Sequence, residues 1–148
     1  MIRARATLLA LAIALVACGP PGPPPAPYLA IETADATRFV RVEIAETEGQ
    51  RERGLMGRTT LEEDAGMIFI WLEDISSGFW MKDTTLRLSI AFISARGEIV
   101  RTFDMEPCTA DPCPVYDPHT QYRMALEVRQ GALDRLGARV GDRVRLVR

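Results

Sequence analysis

The sequence predicts a mainly β protein, a single compact β-sandwich or barrel-like domain with one or two short helices spanning residues 28–148. Three observations point there. Strand-like runs are short and end in turn residues such as Gly97 and Gly141-Asp142, with little helical periodicity between them. The 10 prolines fall only between Pro20 and Pro27 and between Pro107 and Pro118, so the rest of the body is free to pair its backbone. The length beyond the first proline block suits one domain with one core and is too short for two.

The N-terminus has a different composition. Met1 to Arg5 is short and cationic, and Ala6 to Ala17 is apolar and uncharged. That run is shorter than the roughly 20 residues a membrane-spanning helix needs, so residues 1–17 are expected to be a signal peptide. It ends Leu15-Val16-Ala17-Cys18, a lipobox-like sequence that makes Cys18 the expected site of lipidation. Acyl chains contribute roughly 0.8 kcal/mol per buried methylene, enough for several of them to hold a protein on a membrane. The expectation is therefore an exported, lipid-anchored protein at the cell envelope. Gly19 follows the cysteine where a retention signal would place Asp, which favours the outer membrane or cell surface over the cytoplasmic membrane. Residues 18–27 then form the lipidated cysteine and a proline-rich tether, extended at about 3.1 Å per residue.

Within the body, Val40, Val42 and Ile44 alternate with Arg41 and Glu43, the period of a half-buried strand over Arg38 to Ala45. Thr47 with Gln50 forms a capping box that opens a short helix through Arg53 to Met56, with Gly57 as its stop. Thr59 to Gly66 is polar and read as a loop. Met67 to Trp71 is apolar on both sides, as in a buried strand, although a helix is not excluded by that run alone. Ser76-Ser77-Gly78 breaks it. Leu88 to Ile93 and Glu98 to Phe103 form a hairpin across Ser94 to Gly97. Asp104 to Gln121 is a long proline-studded loop, of a length that is usually functional or disordered. Tyr122 to Val128 is a strand, Ala132 to Leu136 a helix closed by Gly137, and Arg143 to Val147 the last strand.

Removing Arg3 and Arg5 takes the 18 basic residues to 16 against 20 acidic, a net charge near −4 without a basic cluster. Nucleic acid is not an expected partner. With Cys18 lipidated, Cys108 and Cys113 remain as a pair. A structural disulfide is the default in an oxidising compartment, and a catalytic or metal-binding dithiol is the alternative. No phosphate-cradling loop, zinc spacing or carboxylate pair is present, and His119 is the single histidine. No cofactor is indicated.

Lys82 is the one lysine, every other basic residue being arginine. A compact amine suits a site that needs a point donor, and a structural ion pair is the plainer reading. Trp80 and Met81 beside it are either core or ligand cradle. Arg53 and Arg58 flank Leu55 and Met56, either as the charged end of a docked helix or as an arginine pair for an anion. The scattered methionines and the two cysteines raise copper handling only weakly, because they lack clustered spacing.

Arg53-Gly54-Leu55-Met56, Gly66-Met67-Ile68-Phe69, Phe79-Trp80-Met81-Lys82-Asp83-Thr84, Pro107 to Tyr116, Ala125-Leu126-Glu127-Val128 and Gly141-Asp142, in that order, resemble the family known as domain of unknown function 192. The resemblance runs from about Val40 to Val147. It implies a compact, mostly β domain without an established activity. Asp83 stands where the family usually has Asn, and Ser89 stands where it often has Asp, so Ser89 offers no acid there.

The leading expectation is a lipid-anchored binding or accessory domain for an unknown small ligand or protein partner. Its site would be built from the Arg53 helix end, the Trp80 to Asp83 segment and the loop between Cys108 and Cys113. The candidate residues are Arg53, Met56, Arg58, Trp80, Met81, Lys82, Asp83, Tyr116 and Glu127, with no catalytic or metal-binding residue assigned. The alternative is an enzyme that uses Lys82 with Asp83 or Glu127 in acid/base chemistry.

Overall fold

A computed structural model describes residues 22–148 of the chain. The expected signal peptide and Cys18 lie outside the described residues. Among those described, no helix is long and apolar enough to cross a membrane. The end of the tether is docked, because the Pro27 carbonyl accepts a hydrogen bond from the Val42 N–H at 3.1 Å.

Seven strands form one sheet: β1 Tyr28–Glu32, β2 Thr37–Ala45, β3 Ala65–Ile75, β5 Leu88–Ile93, β6 Ile99–Met105, β8 Tyr122–Arg129 and β9 Arg143–Val147, in the order β6-β5-β8-β3-β2-β1-β9. The two-residue strands β4 Phe79–Trp80 and β7 Val115–Tyr116 pair separately as a small ribbon. The helices are α1 Glu48–Arg53 and α2 Ala132–Leu136. Only β2 and β3 run parallel, and the crossover between them carries α1 across one face of the sheet. The sheet curls into a half-barrel. Its edges meet at one corner, where Glu98 bridges Arg143 and the Ile99 N–H donates to the Asp142 carbonyl at 2.9 Å.

Alternation along the strands divides the core in two. Inside the curl, Leu29, Ile31, Val42, Ile68, Leu126 and Val144 pack together, and α2 closes the space with Ala132 and Leu133. On the other face Phe69, Phe92 and Tyr122 form an aromatic cluster with Trp71 and Phe79. Its ring centroids include Phe92–Tyr122 at 4.8 Å and Phe69–Phe79 at 5.1 Å, both edge-to-face.

Several sequence expectations change. The capping box forms as read, but the helix ends at Arg53 and not at Met56. Gly54 takes φ 47° and ends it, and the Phe69 ring lies 3.2 Å from where a Cβ would stand, so this position is closed to larger residues. Gly57, the expected stop, serves the following turn. Strand β3 starts at Ala65, inside the expected loop, and runs on to Ile75. Strand β1 was not expected: Leu29, Ala30 and Ile31 are all buried and show no alternation, and they directly follow the prolines. The long 104–121 segment is ordered by the Cys108–Cys113 disulfide, whose Cα atoms are 5.5 Å apart, and by β7.

Candidate functional site

The crossover places α1 and the turn after it against the aromatic face, and between them lies an open cleft of about 350 Å³. Its walls come from three places. Strand β3 presents Phe69 and Trp71, the β4 ribbon presents Phe79 and Trp80, and α1 with its turn presents Arg51, Arg53 and Met56. The side chain alternation of β3 puts Phe69 and Trp71 on the same face, and the stop at Gly54 turns Leu55 inward, where it is buried.

The arginines at the cleft are not equivalent. Arg51 is committed to structure, since its guanidinium donates to the Ile70 carbonyl at 3.0 Å and stands 5.4 Å over the Trp71 ring. Arg53 is exposed at the rim. Thr84, also in the cleft lining, is buried and donates to the Lys82 carbonyl at 3.1 Å.

Glu127 forms the floor. It lies on β8 opposite Met67 of β3 and Ile90 of β5, in the middle of the sheet, and is 5% exposed. Burial alone pushes its carboxyl up to about 8, with no neighbouring charge or hydrogen bond contributing. Among the described residues no buried side-chain oxygen is both sealed from solvent and unpartnered, so the Glu127 carboxyl reaches the open space of the cleft. Backbone approach helps to hold it: a Cβ on Gly66 would come within 2.5 Å of the Glu127 carbonyl, so only glycine lets β3 and β8 close here.

Of the residues singled out in the sequence, Arg53, Met56, Trp80 and Glu127 come together at this cleft. The others are placed elsewhere. Arg58 pairs with Glu43 through its two terminal guanidinium nitrogens, Nη1 at 2.6 Å, and this holds the Glu43 carboxyl below its ordinary range. Met81 is 1% exposed and belongs to the core. Lys82 is exposed, its Nζ 5.6 Å from the Trp80 ring centroid. Asp83 is exposed in a left-handed conformation, and its carbonyl accepts the Gly57 N–H. Tyr116 packs its ring on Phe103 and its hydroxyl accepts the Glu106 N–H at 3.0 Å. The disulfide occupies both thiols that, with Asp111, would otherwise gather near one point.

Sequence reasoning missed Trp71, Phe79, Thr84 and Arg51. The available signal was parity, since Phe69 and Trp71 share a face and alternate with buried Ile68.

The curled sheet, its ribbon and its two short helices define a compact, mainly β half-barrel domain. The chain belongs to the family described as "Uncharacterized ACR", domain of unknown function 192, whose model matches residues 30–146. Two crystal structures are similar. One is of a protein from Sinorhizobium meliloti 1021 described provisionally as a transcription regulator, 32% identical with a TM-score of 0.74, the match covering 81% of this chain and 92% of that one. The other is of a protein of unknown function from Novosphingobium aromaticivorans DSM 12444, 28% identical with a TM-score of 0.65, covering 80% of this chain and 83% of that one. No curated protein matches.

Proposed function

We propose that this chain is an exported domain, held at a membrane through lipid on Cys18, that binds a small ligand in the cleft floored by Glu127. One observation carries the binding reading. A buried carboxyl without a partner costs stability, and a purely structural position in the middle of a sheet would be filled by an apolar residue or a paired polar one. Here the carboxyl faces an open, aromatic-walled cleft, the kind of concave apolar space with few polar groups that small molecules occupy. The anchoring rests on the cationic start, the short apolar run and Cys18.

Native mass spectrometry of the protein, extracted gently from cells that export it, tests both parts. The expected result is a mass increment from acyl chains that is abolished by Cys18→Ser, and a second, dissociable increment that is lost when a bulkier side chain fills the cleft from its wall, as in Met56→Trp, with a melting curve showing a folded protein. A protein carrying neither would sink the proposal.

Acid/base catalysis is the second reading. Its support is the Glu127 carboxyl itself, which burial brings close to neutrality, where a general acid or base works well. Lys82 and Asp83, the partners the sequence suggests, do not line the cleft. Binding is therefore the better-supported reading.

A further inference from the structure

The floor of the cleft also indicates what chemistry it accepts. Three polar side chains are buried among the described residues, Thr84, Ser89 and Glu127. Thr84 donates to the Lys82 carbonyl, and Ser89 both donates to the Asp104 carboxylate and accepts the Gly131 N–H. Glu127 is the exception, with neither a hydrogen bond nor a charge acting on it. Protonated, the carboxyl has one O–H to donate; ionised, it only accepts, so a ligand that brings positive charge and N–H donors is the one that fits the ionised form.

The walls favour the same chemistry. Trp71 and Phe79 line the cleft, and aromatic rings attract cations through their negative π surfaces. The Arg51 guanidinium already stands over Trp71, so the ring left for a ligand's charge is Phe79. An anion would find less. Arg51 directs its Nη1 donors to the Ile70 and Glu46 carbonyls and lies over Trp71, and Arg53 stands at the exposed rim rather than at the floor.

Resting on the binding reading above, we infer that the cleft takes a small cationic ligand, whose ammonium or guanidinium N–H groups donate to the Glu127 carboxylate while its charge lies on the Phe79 side of the cleft. Binding then moves one proton: the Glu127 carboxyl releases it to solvent as the ligand's positive charge arrives. Affinity for a ligand already charged should rise as the pH climbs through neutrality and level off once Glu127 is ionised without it. The other charged groups facing the cleft are Glu48, Arg51, Glu52 and Arg53, all on α1; the remaining walls are apolar, aromatic or hydroxyl-bearing.

Trp71 and Trp80, the two tryptophans of the chain, both border the cleft, so intrinsic fluorescence of the full-length protein reports on it. The probes are benzylammonium, its neutral counterpart benzyl alcohol, and benzoate. Benzylammonium should bind at least about tenfold more tightly than benzyl alcohol, with benzoate weaker still, and its affinity should rise up to about tenfold per pH unit between pH 6 and 8. Glu127→Gln, which keeps the shape, should abolish both the preference and the pH dependence while a melting curve shows a folded protein. If benzyl alcohol or benzoate binds as well as benzylammonium, or if Glu127→Gln keeps the preference, the cationic class is wrong and the cleft remains a binding site. If none of the three perturbs the fluorescence at about 10 mM, where even millimolar affinity registers, the binding reading falls with it.

Discussion

Ser89 and Glu127 sit one register step apart on neighbouring strands, where Ser89 pairs with Val128 and Ile90 pairs with Glu127, and both are buried. Their side chains leave opposite faces of the sheet. Ser89 points toward α2 and is satisfied twice, by the Asp104 carboxylate and by the Gly131 N–H at the start of that helix. Glu127 points toward the cleft and is satisfied by nothing in the chain. The first is what buried polar groups in folded proteins normally look like, a hydroxyl whose bonds tie a helix to a sheet. The second pays a desolvation cost that no contact in the fold returns. A polar residue that the fold does not satisfy is placed for something outside the fold, and the contrast is sharper for lying in one sheet.

The strongest way to break this comparison is to titrate it. The unfolded Glu127 carboxyl ionises near 4.5 and the folded one near 8, so between these values the folded chain holds a proton that the unfolded chain has released. Raising the pH therefore favours unfolding. The stabilising difference is complete below about 4.5, declines by about 1.4 kcal/mol per pH unit, and is lost above about 8. Denaturant midpoints at several pH values should show this decline in the wild type and a much flatter profile in Glu127→Gln, which should be the more stable of the two at pH 8. Parallel profiles would mean that Glu127 is not a neutral buried carboxyl.

A second test loosens the cover on the Glu127 face and leaves the Ser89 face intact. Cys108 packs against the aromatic cluster, and its disulfide to Cys113 shapes the loop that leads into β7 and so to the ribbon over that cluster. Replacing both cysteines with serine should cost about 2 kcal/mol by the entropy of so small a loop. It should also lower the pH at which the stability decline levels off, because water admitted beneath the ribbon would stabilise the ionised carboxyl. An unchanged profile would show that the loop does not shield Glu127.

Ser89→Ala is the matching test on the other face. It leaves the Gly131 N–H without its acceptor, while Asp104, being exposed, turns to water. A cost of about 1–2 kcal/mol is expected, the same at pH 5 and pH 8. A pH-dependent cost would blur the distinction between the two residues.

Local patterns account for how much of this could be read from the sequence. The 88–105 hairpin shows in the β-rich runs around Gly97, which does adopt φ 76°, and the capping box of Thr47 and Gln50 is complete in both directions. Strand β1 has no period to detect because both of its faces are covered, and β4 and β7 are two residues each, too short for any period. The cleft depends on packing between distant segments. Lys82 stood out by rarity and lies exposed, whereas Trp71 read as core because nothing in its own run shows that α1 leaves a gap beside it. Glu127 is among the candidates the sequence offers, but nothing in its own run of apolar residues sets it above the others. Its isolation becomes a signal once β8 is known to be central, with β3 and β5 on either side.

A surface pair supplies the control of opposite sign. Arg58 holds the Glu43 carboxyl below its ordinary range by hydrogen bonding, so this pair's contribution is present at neutral pH and is lost as the pH falls through the acid range, the reverse of Glu127. Glu43's side chain is 58% exposed, so solvent screening keeps the effect small, and Arg58→Ala should cost no more than about 1 kcal/mol at pH 7 and less at pH 3. That variant should leave the decline between pH 5 and 8 untouched, because Arg58 does not line the cleft. If it flattens the decline instead, charges across the surface rather than burial set the behaviour of Glu127, and the case for a vacant carboxylate at the floor weakens with it.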